Sequence, residues 1–259
     1  MGLQGKTVLL TGASMGIGEA IAKALADKGA NLVLLSRSED KLDAVAKKLS
    51  TSYPSASMIY RAADVGSFED VDKAIASALE EIGNIDILIN NAGLALGAPA
   101  RFHELKIQDV ITMSNTNING TMSMMRQKPG KGTILNVTST TALEAPPFTG
   151  EAVYHASKAF QEGFTNSLRN ELVETDIKVL ALRPGVVATH FHTQRVGFDK
   201  EQYNSFIEGY EPLVAEDVAQ AAVYMLDQSE RISIKALDVV PTAQRSLNVF
   251  DRTWSERSH

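Results

Sequence analysis

The chain has 259 residues, 44% of them hydrophobic, and a formal net charge of −6. That length and composition allow a sizeable packed core, and the acidic balance argues against a general affinity for nucleic acid while leaving room for a local basic site. The absence of cysteine excludes a disulfide framework, a thiolate nucleophile and a thiolate metal site.

Met1 to Lys6 lack the charged and apolar regions of a signal peptide, and no apolar run approaches membrane-spanning length; a soluble cytoplasmic chain is expected. Lys6 to Leu10 reads as a first strand, broken at Thr11-Gly12. Ile17, Ala20, Ile21, Ala24 and Leu25 then recur at helical spacing up to Lys28-Gly29. Asn31 to Leu35 is a second strand, and Leu42, Val45, Ala46 and Leu49 mark a second helix before the loop Tyr53-Pro54-Ser55. Ser57 to Ala63 reads as a third strand, Phe68 to Ile82 as a third helix and Ile85 to Ile89 as a fourth strand. The alternation continues through strands at Thr133 to Val137, Lys178 to Leu182 and Leu237 to Val240, with helices at Val153 to Leu172 and Ala215 to Leu226. Alternating strands and helices imply an α/β fold: a Rossmann-type, doubly wound parallel sheet with helices on both faces. No linker or repeat interrupts it, so one domain over residues 1–259 is expected.

Between the first strand and first helix stands Thr11-Gly12-Ala13-Ser14-Met15-Gly16-Ile17-Gly18. Gly12 permits a tight turn, Gly16 lets backbone approach a pyrophosphate, and Gly18 lets the helix pack close to the strand. The helix N-terminus then offers N–H groups to the anion. Further on, Tyr154 and Lys158 are four residues apart, one turn from each other on a helix face. An ammonium near a phenol favours the phenolate and can fit it for proton transfer at working pH.

These motifs together resemble the short-chain dehydrogenase/reductase family. Its glycine motif stands at Thr11 to Gly18. Asp64-Val65 resembles its adenine contact, and Asn90-Asn91-Ala92-Gly93 the element ending its fourth strand. Asn117, three before Gly120, resembles the Asn of its catalytic set, although Asn115 and Asn119 compete for that place. Ser139 follows the fifth strand within Thr138-Ser139-Thr140-Thr141, where a neighbouring hydroxyl is an alternative. Pro184-Gly185-Val186-Val187-Ala188-Thr189 matches the family's later Pro-Gly segment. The resemblance implies reversible hydride transfer between nicotinamide and a carbonyl or alcohol. In it Tyr154 is the proton donor, Lys158 lowers the phenol pKa and binds the nicotinamide ribose, and Ser139 donates to the substrate oxygen. Asn117 holds a water chain that returns protons through Lys158. The implied cofactor contacts are Thr11, Gly12, Ser14, Gly16, Ile17, Gly18, Arg37, Asp64, Val65, Asn91, Ala92, Gly93, Tyr154, Lys158, Pro184, Gly185, Val187 and Thr189.

The second strand ends Leu34-Leu35-Ser36-Arg37, with no acid to accept a ribose 2′-hydroxyl. Ser36 and Arg37 can donate to a 2′-phosphate instead, which favours NADP over NAD. His190-Phe191-His192 lacks nearby acids, and no metal is assigned. Residues 190–212 occupy the family's substrate lid and carry Arg195, Lys200, Tyr203, Phe206 and Tyr210; Arg195 or Lys200 can meet a carboxylate. The stretches Glu211 to Ala219 and Val239 to Gln244 are similar to members acting on serine and other 3-hydroxy acids with NADP. A small carbonyl or alcohol substrate follows. The alternatives are a carbonyl or 3-oxoacyl reductase with a larger substrate, or an NADP-binding redox sensor without turnover. No nucleic-acid or membrane partner is expected.

Two departures from the family bear on geometry. The segment from Ile118 to Gly132 is shorter than the family pattern by roughly eight or nine residues, a little over two helical turns. The resemblance implies a homodimer or homotetramer, and the shortening is expected to weaken it. The interval from Ser139 to Tyr154 is slightly long, with Glu144-Ala145-Pro146-Pro147 expected to absorb the excess as a loop.

Overall fold

A computed structural model describes residues 2–97, 100–124, 130–146, 149–195 and 199–257 of the chain, with the side chains of 192, 193, 200 and 202 outside the description. The first half runs β1 (Thr7–Thr11), α1 (Gly16–Asp27), β2 (Asn31–Ser36), α2 (Glu39–Ser52), β3 (Met58–Ala62), α3 (Phe68–Ile82) and β4 (Ile87–Asn90). The second half runs α4 (Ile107–Ser114), α5 (Gly120–Met124), β5 (Lys131–Val137), α6 (Ala152–Glu171), β6 (Asp176–Pro184), α7 (His190–Arg195), α8 (Lys200–Ile207), α9 (Ala215–Leu226) and β7 (Ala236–Val239). A short hairpin, β8 (Gln244–Ser246) with β9 (Val249–Phe250), follows.

The sheet has seven strands in the order β3-β2-β1-β4-β5-β6-β7, with every pairing parallel. The chain order reverses between β1 and β4, where an open α/β sheet leaves a crevice at its carboxyl edge. The strands are near-continuous apolar runs because both faces are covered. Their period of two sends Val8, Leu10, Leu32, Leu34, Ile87 and Ile89 into one core with Ile21, Leu25 and Ala222. Leu9, Val33 and Leu35 go to the other side, against Val71, Ile75 and Ala78. The expected doubly wound sheet is therefore present. Boundaries differ from the sequence reading by one or two residues at most strand ends, and α3 and α9 coincide with it.

α4 has no counterpart in the sequence reading. Ile107 and Ile111 lie exposed while only Met113 is buried, so its apolar residues do not form a single inward stripe. α4 joins α5 through a π turn at Asn115–Asn119, closed by the Gly120 N–H on the Asn115 carbonyl. Met124 is buried against the α3 layer, so the shortened segment still covers this part of the sheet. Met125, Gln127, Lys128 and Pro129 lie outside the described residues, as does Pro147 of the expected loop.

The ends of β1 and β4 are tied through Thr11 and Asn91. The Thr11 hydroxyl accepts the Asn91 and Ala92 N–H groups, both at 3.0 Å, and Asn91 Nδ2 donates to the Thr11 and Gly12 carbonyls at 3.0 and 3.3 Å. Thr11→Val keeps the shape but strands two backbone donors, and a loss of about 1–3 kcal/mol is expected in urea denaturation.

Candidate active site

The glycine turn folds as its sequence requires. Gly12 and Gly16 have positive φ (67° and 58°), and a Cβ on Gly18 would collide with the Gly12 carbonyl. Met15 at the N-cap of α1 gives no side-chain cap, which leaves the first N–H groups of the helix to an external anion.

This turn is one end of a cavity of about 400 Å³. Its wall takes in Gly12, Ser14, Gly16, Ile17, Gly18, Arg37, Asp64, Val65, Asn91, Ala92, Gly93, Ser139, Tyr154, Lys158, Pro184, Gly185, Val187 and Thr189. Thr11 and Asn117 lie behind it. Arg37 is exposed at the end of β2, with no ion-pair partner among the described residues, and Ser36 and Ser38 flank it on the wall. Asp64 accepts the Gly66 N–H at 2.9 Å, which fixes the turn after β3.

At the other end, α6 brings Tyr154 and Lys158 to the wall, 5% and 4% exposed. Ser139 is the hydroxyl of its run that acts on the Tyr154 phenol, lowering its pKa; its Oγ also accepts the Thr141 N–H at 3.1 Å and donates to the Pro184 carbonyl at 3.5 Å. Thr138 instead bonds Glu162 and the Leu182 carbonyl, and Thr140 donates to the Pro184 carbonyl. His155 donates from Nδ1 to the Thr141 carbonyl at 2.5 Å, fastening this loop to α6. Asn117 is fully buried, whereas Asn119 bonds Asn115 on the exposed side. The Asn117 side chain accepts the Leu94 N–H and donates to the Leu94 carbonyl, both at 2.9 Å, and donates to Ser157 Oγ at 3.0 Å. It thereby shapes the wall beside Gly93.

Burial dominates the ionisation of the pair. It raises the Tyr154 phenol above its ordinary value, against the lowering effects of the Arg195 guanidinium and the Ser139 hydrogen bond; Glu151 adds to the rise. Burial also pulls the Lys158 ammonium down to about 7. Lys158 Nζ lies 5.9 Å from the Tyr154 ring centre and the Arg195 guanidinium 5.5 Å from it. The Arg195 guanidinium thus acts on the phenol as well, beside the Lys158 that the sequence singles out.

Several contributors escaped the sequence reading. Arg195 is not a solvated lid charge: it is buried and doubly hydrogen-bonded to the buried carboxylate of Glu151, with Nη2 to Oε2 at 2.8 Å. Phe191 packs at 5.5 Å from the Tyr154 ring, and Leu247 of the β8–β9 connection reaches the wall. The segment 190–212 leaves and returns at one place, where Val187 bridges Leu213 and the Ala188 N–H bonds the Leu213 carbonyl at 2.7 Å. Among the described residues no group of three or more histidines and carboxylates converges; the side chains of His192 and Lys200 are outside them. Helical spacing was the available signal for Glu151, three residues before Tyr154.

Comparison with known proteins agrees with this geometry. The short chain dehydrogenase family model matches residues 6–198. The chain belongs to that family. It is an oxidoreductase acting on hydroxyl groups. Among relatives of this family, an NADP-dependent 3-hydroxy acid dehydrogenase of Schizosaccharomyces pombe is 36% identical, over 95% of this chain and 96% of the relative. A serine 3-dehydrogenase of Agrobacterium fabrum is 32% identical, over 92% and 94%. The closed form of a serine dehydrogenase complexed with NADP+ superposes with a TM-score of 0.84 at 31% identity, covering 95% of this chain and 99% of that one. No helix among the described residues is long and apolar enough to cross a membrane.

The Lys158 shift has a stability consequence. A lysine depressed in the folded state burdens folding most below about pH 7, and the burden fades as pH rises towards the unfolded value of about 10.5. Lys158→Met removes this titration. Melting temperatures of the ligand-free proteins should therefore shift in favour of the wild type, relative to the variant, between pH 7 and 10.

Proposed function

We propose that this family member is an NADP-dependent oxidoreductase that transfers hydride between nicotinamide and a small 3-hydroxy acid, with Tyr154 as general acid and base. Bound NADP supplies the hydride donor or acceptor. The residues fit it: the glycine turn and uncapped α1 for the pyrophosphate, Arg37 with Ser36 for the 2′-phosphate, and Asp64-Val65 for the adenine. Asn91, Ala92, Gly93, Pro184, Gly185, Val187 and Thr189 line the nicotinamide end, and Lys158 holds the ribose. The NADP in the names of the relatives supports the same choice.

In reduction, Tyr154 gives its proton to the substrate oxygen while Ser139 donates a hydrogen bond to that oxygen as charge develops. A phenol held above its ordinary pKa keeps the proton until that moment. Oxidation runs through the same groups in reverse. The observation that carries the substrate class is Arg195, held by Glu151 over the Tyr154 ring and on the cavity wall. A 3-hydroxy acid places its carboxylate two bonds from the carbinol carbon, within reach of both. Phe191, Phe206 and Leu247 close a bay suited to a small molecule.

The test is NADPH and NADH turnover with 3-oxo acids, 3-hydroxy acids and their neutral esters. Acids should exceed esters, and NADPH should exceed NADH. Tyr154→Phe should lower kcat by about 10² or more while NADPH still binds. Arg37→Ala should weaken NADPH by about tenfold or more and leave NADH nearly unchanged. Preference for esters would remove the Arg195 reading, and an active Tyr154→Phe would remove the mechanism.

A homo-oligomer also follows from the family resemblance, supported by the exposed Phe102, Ile107 and Ile111 around α4. Light scattering should show more than one copy; a monomer would exclude it.

A further inference from the structure

Gln161 is 2% exposed, lies one turn beyond Lys158 on α6, and has no part in the chemistry described above. Its amide has partners on both sides. Gln161 Oε1 accepts from Lys158 Nζ at 2.9 Å, and Gln161 Nε2 donates to the Asn117 carbonyl at 2.8 Å and to Thr121 Oγ1 at 2.9 Å. The Thr121 hydroxyl in turn donates to the same Asn117 carbonyl at 3.0 Å. An ammonium can only donate and a carbonyl can only accept, so these partners fix which way the amide points. A second acceptor, the Val137 carbonyl, holds Lys158 Nζ at 3.1 Å from β5.

We propose that Gln161 is a positioning residue, whose amide anchors the Lys158 ammonium to the Asn117 carbonyl. The anchor has two effects. It presents Lys158 to the cavity at a set height beside Gly93, where a Cβ would stand 3.5 Å from Nζ. It also stops proton traffic on that side. An amide accepts on oxygen and donates from nitrogen, and passing a proton across it would demand an imidic acid.

Other side chains would act differently here. A glutamate would pair its charge with Lys158 and could not donate to Asn117 while ionised. A leucine would leave Lys158 with Val137 alone. The titratable groups on the elements around Lys158 include Tyr154 and, one turn beyond Lys158, the buried Glu162 on α6, which is held by Thr138 and Arg183, and Arg195 with Glu151 beside the Tyr154 ring; β5 presents the Val137 carbonyl, the turn after β4 presents Gly93, and the π turn presents Asn117.

The inference rests on the Tyr154–Lys158 mechanism, and the test separates the two. The pH profile of kcat/KM is recorded for the full-length wild type, Gln161→Glu, Gln161→Leu and Tyr154→Phe, with NADPH affinity and melting temperature alongside. Gln161→Glu should move the limb belonging to Lys158 up by about one pH unit or more, and Gln161→Leu should move it down. Folded variants whose limb stays in place would overturn the inference while an inactive Tyr154→Phe leaves the mechanism standing. An active Tyr154→Phe would remove the mechanism itself. If one variant fails to fold, the direction of shift in the other decides. If neither folds, Gln161 is a folding element and the proposal is wrong.

Discussion

An ammonium kept out of water is the constraint around which this site is built. Burying a cation costs several kcal/mol unless acceptors surround it, and Lys158 finds them in the Val137 carbonyl and the Gln161 amide. Meeting that need requires β5 to end where it does and α6 to lie along it. It also requires the helix carrying Asn117 to pass close enough for Gln161 to touch its backbone. The π turn at Asn115–Asn119 fits this need: an extra residue in the turn displaces carbonyls from the regular ladder and frees them for side chains.

The same logic of opposed charges in a dry place governs the substrate end. Glu151 and Arg195 come from the start of α6 and the end of α7, and their pairing joins these two helices. An ion pair this buried is weak evidence for stability, since well-packed apolar residues would often serve as well. Its value lies in placement. It holds a guanidinium against the Tyr154 ring at the cavity wall.

The parallel sheet was legible because strands buried on both faces read as unbroken apolar runs, and Val8 to Leu10 and Leu32 to Leu35 are such runs. The glycine turn was legible for a similar local reason: backbone that must bend or approach closely leaves glycine at fixed intervals. α4 was not, because two of its four apolar side chains, Ile107 and Ile111, face outward. At the site, residues joined by one helical turn could be paired from sequence, as with Tyr154 and Lys158. Partners distant in sequence could not. Glu151 meets Arg195 across 44 positions, and Gln161 meets the Asn117 carbonyl across the same separation. Nor does spacing report dielectric, so the phenol's rise on burial and the opposing effect of Arg195 emerged only with the packing.

The β8–β9 hairpin places Leu247 on the cavity wall and bonds Glu144 and Ala145 through the Leu247 N–H and the Asn248 amide. Arg252 beyond it grips the carbonyls of Phe206 and Glu208 at 2.6 and 2.9 Å, at the end of α8. The dinucleotide crevice, by contrast, is framed mainly by strands β1 to β4. The bay therefore depends on a stretch near residue 250 that contributes nothing to the glycine turn. The bay is thus closed by the last stretch of chain to be made, far in sequence from the glycine turn at the other end of the same cavity.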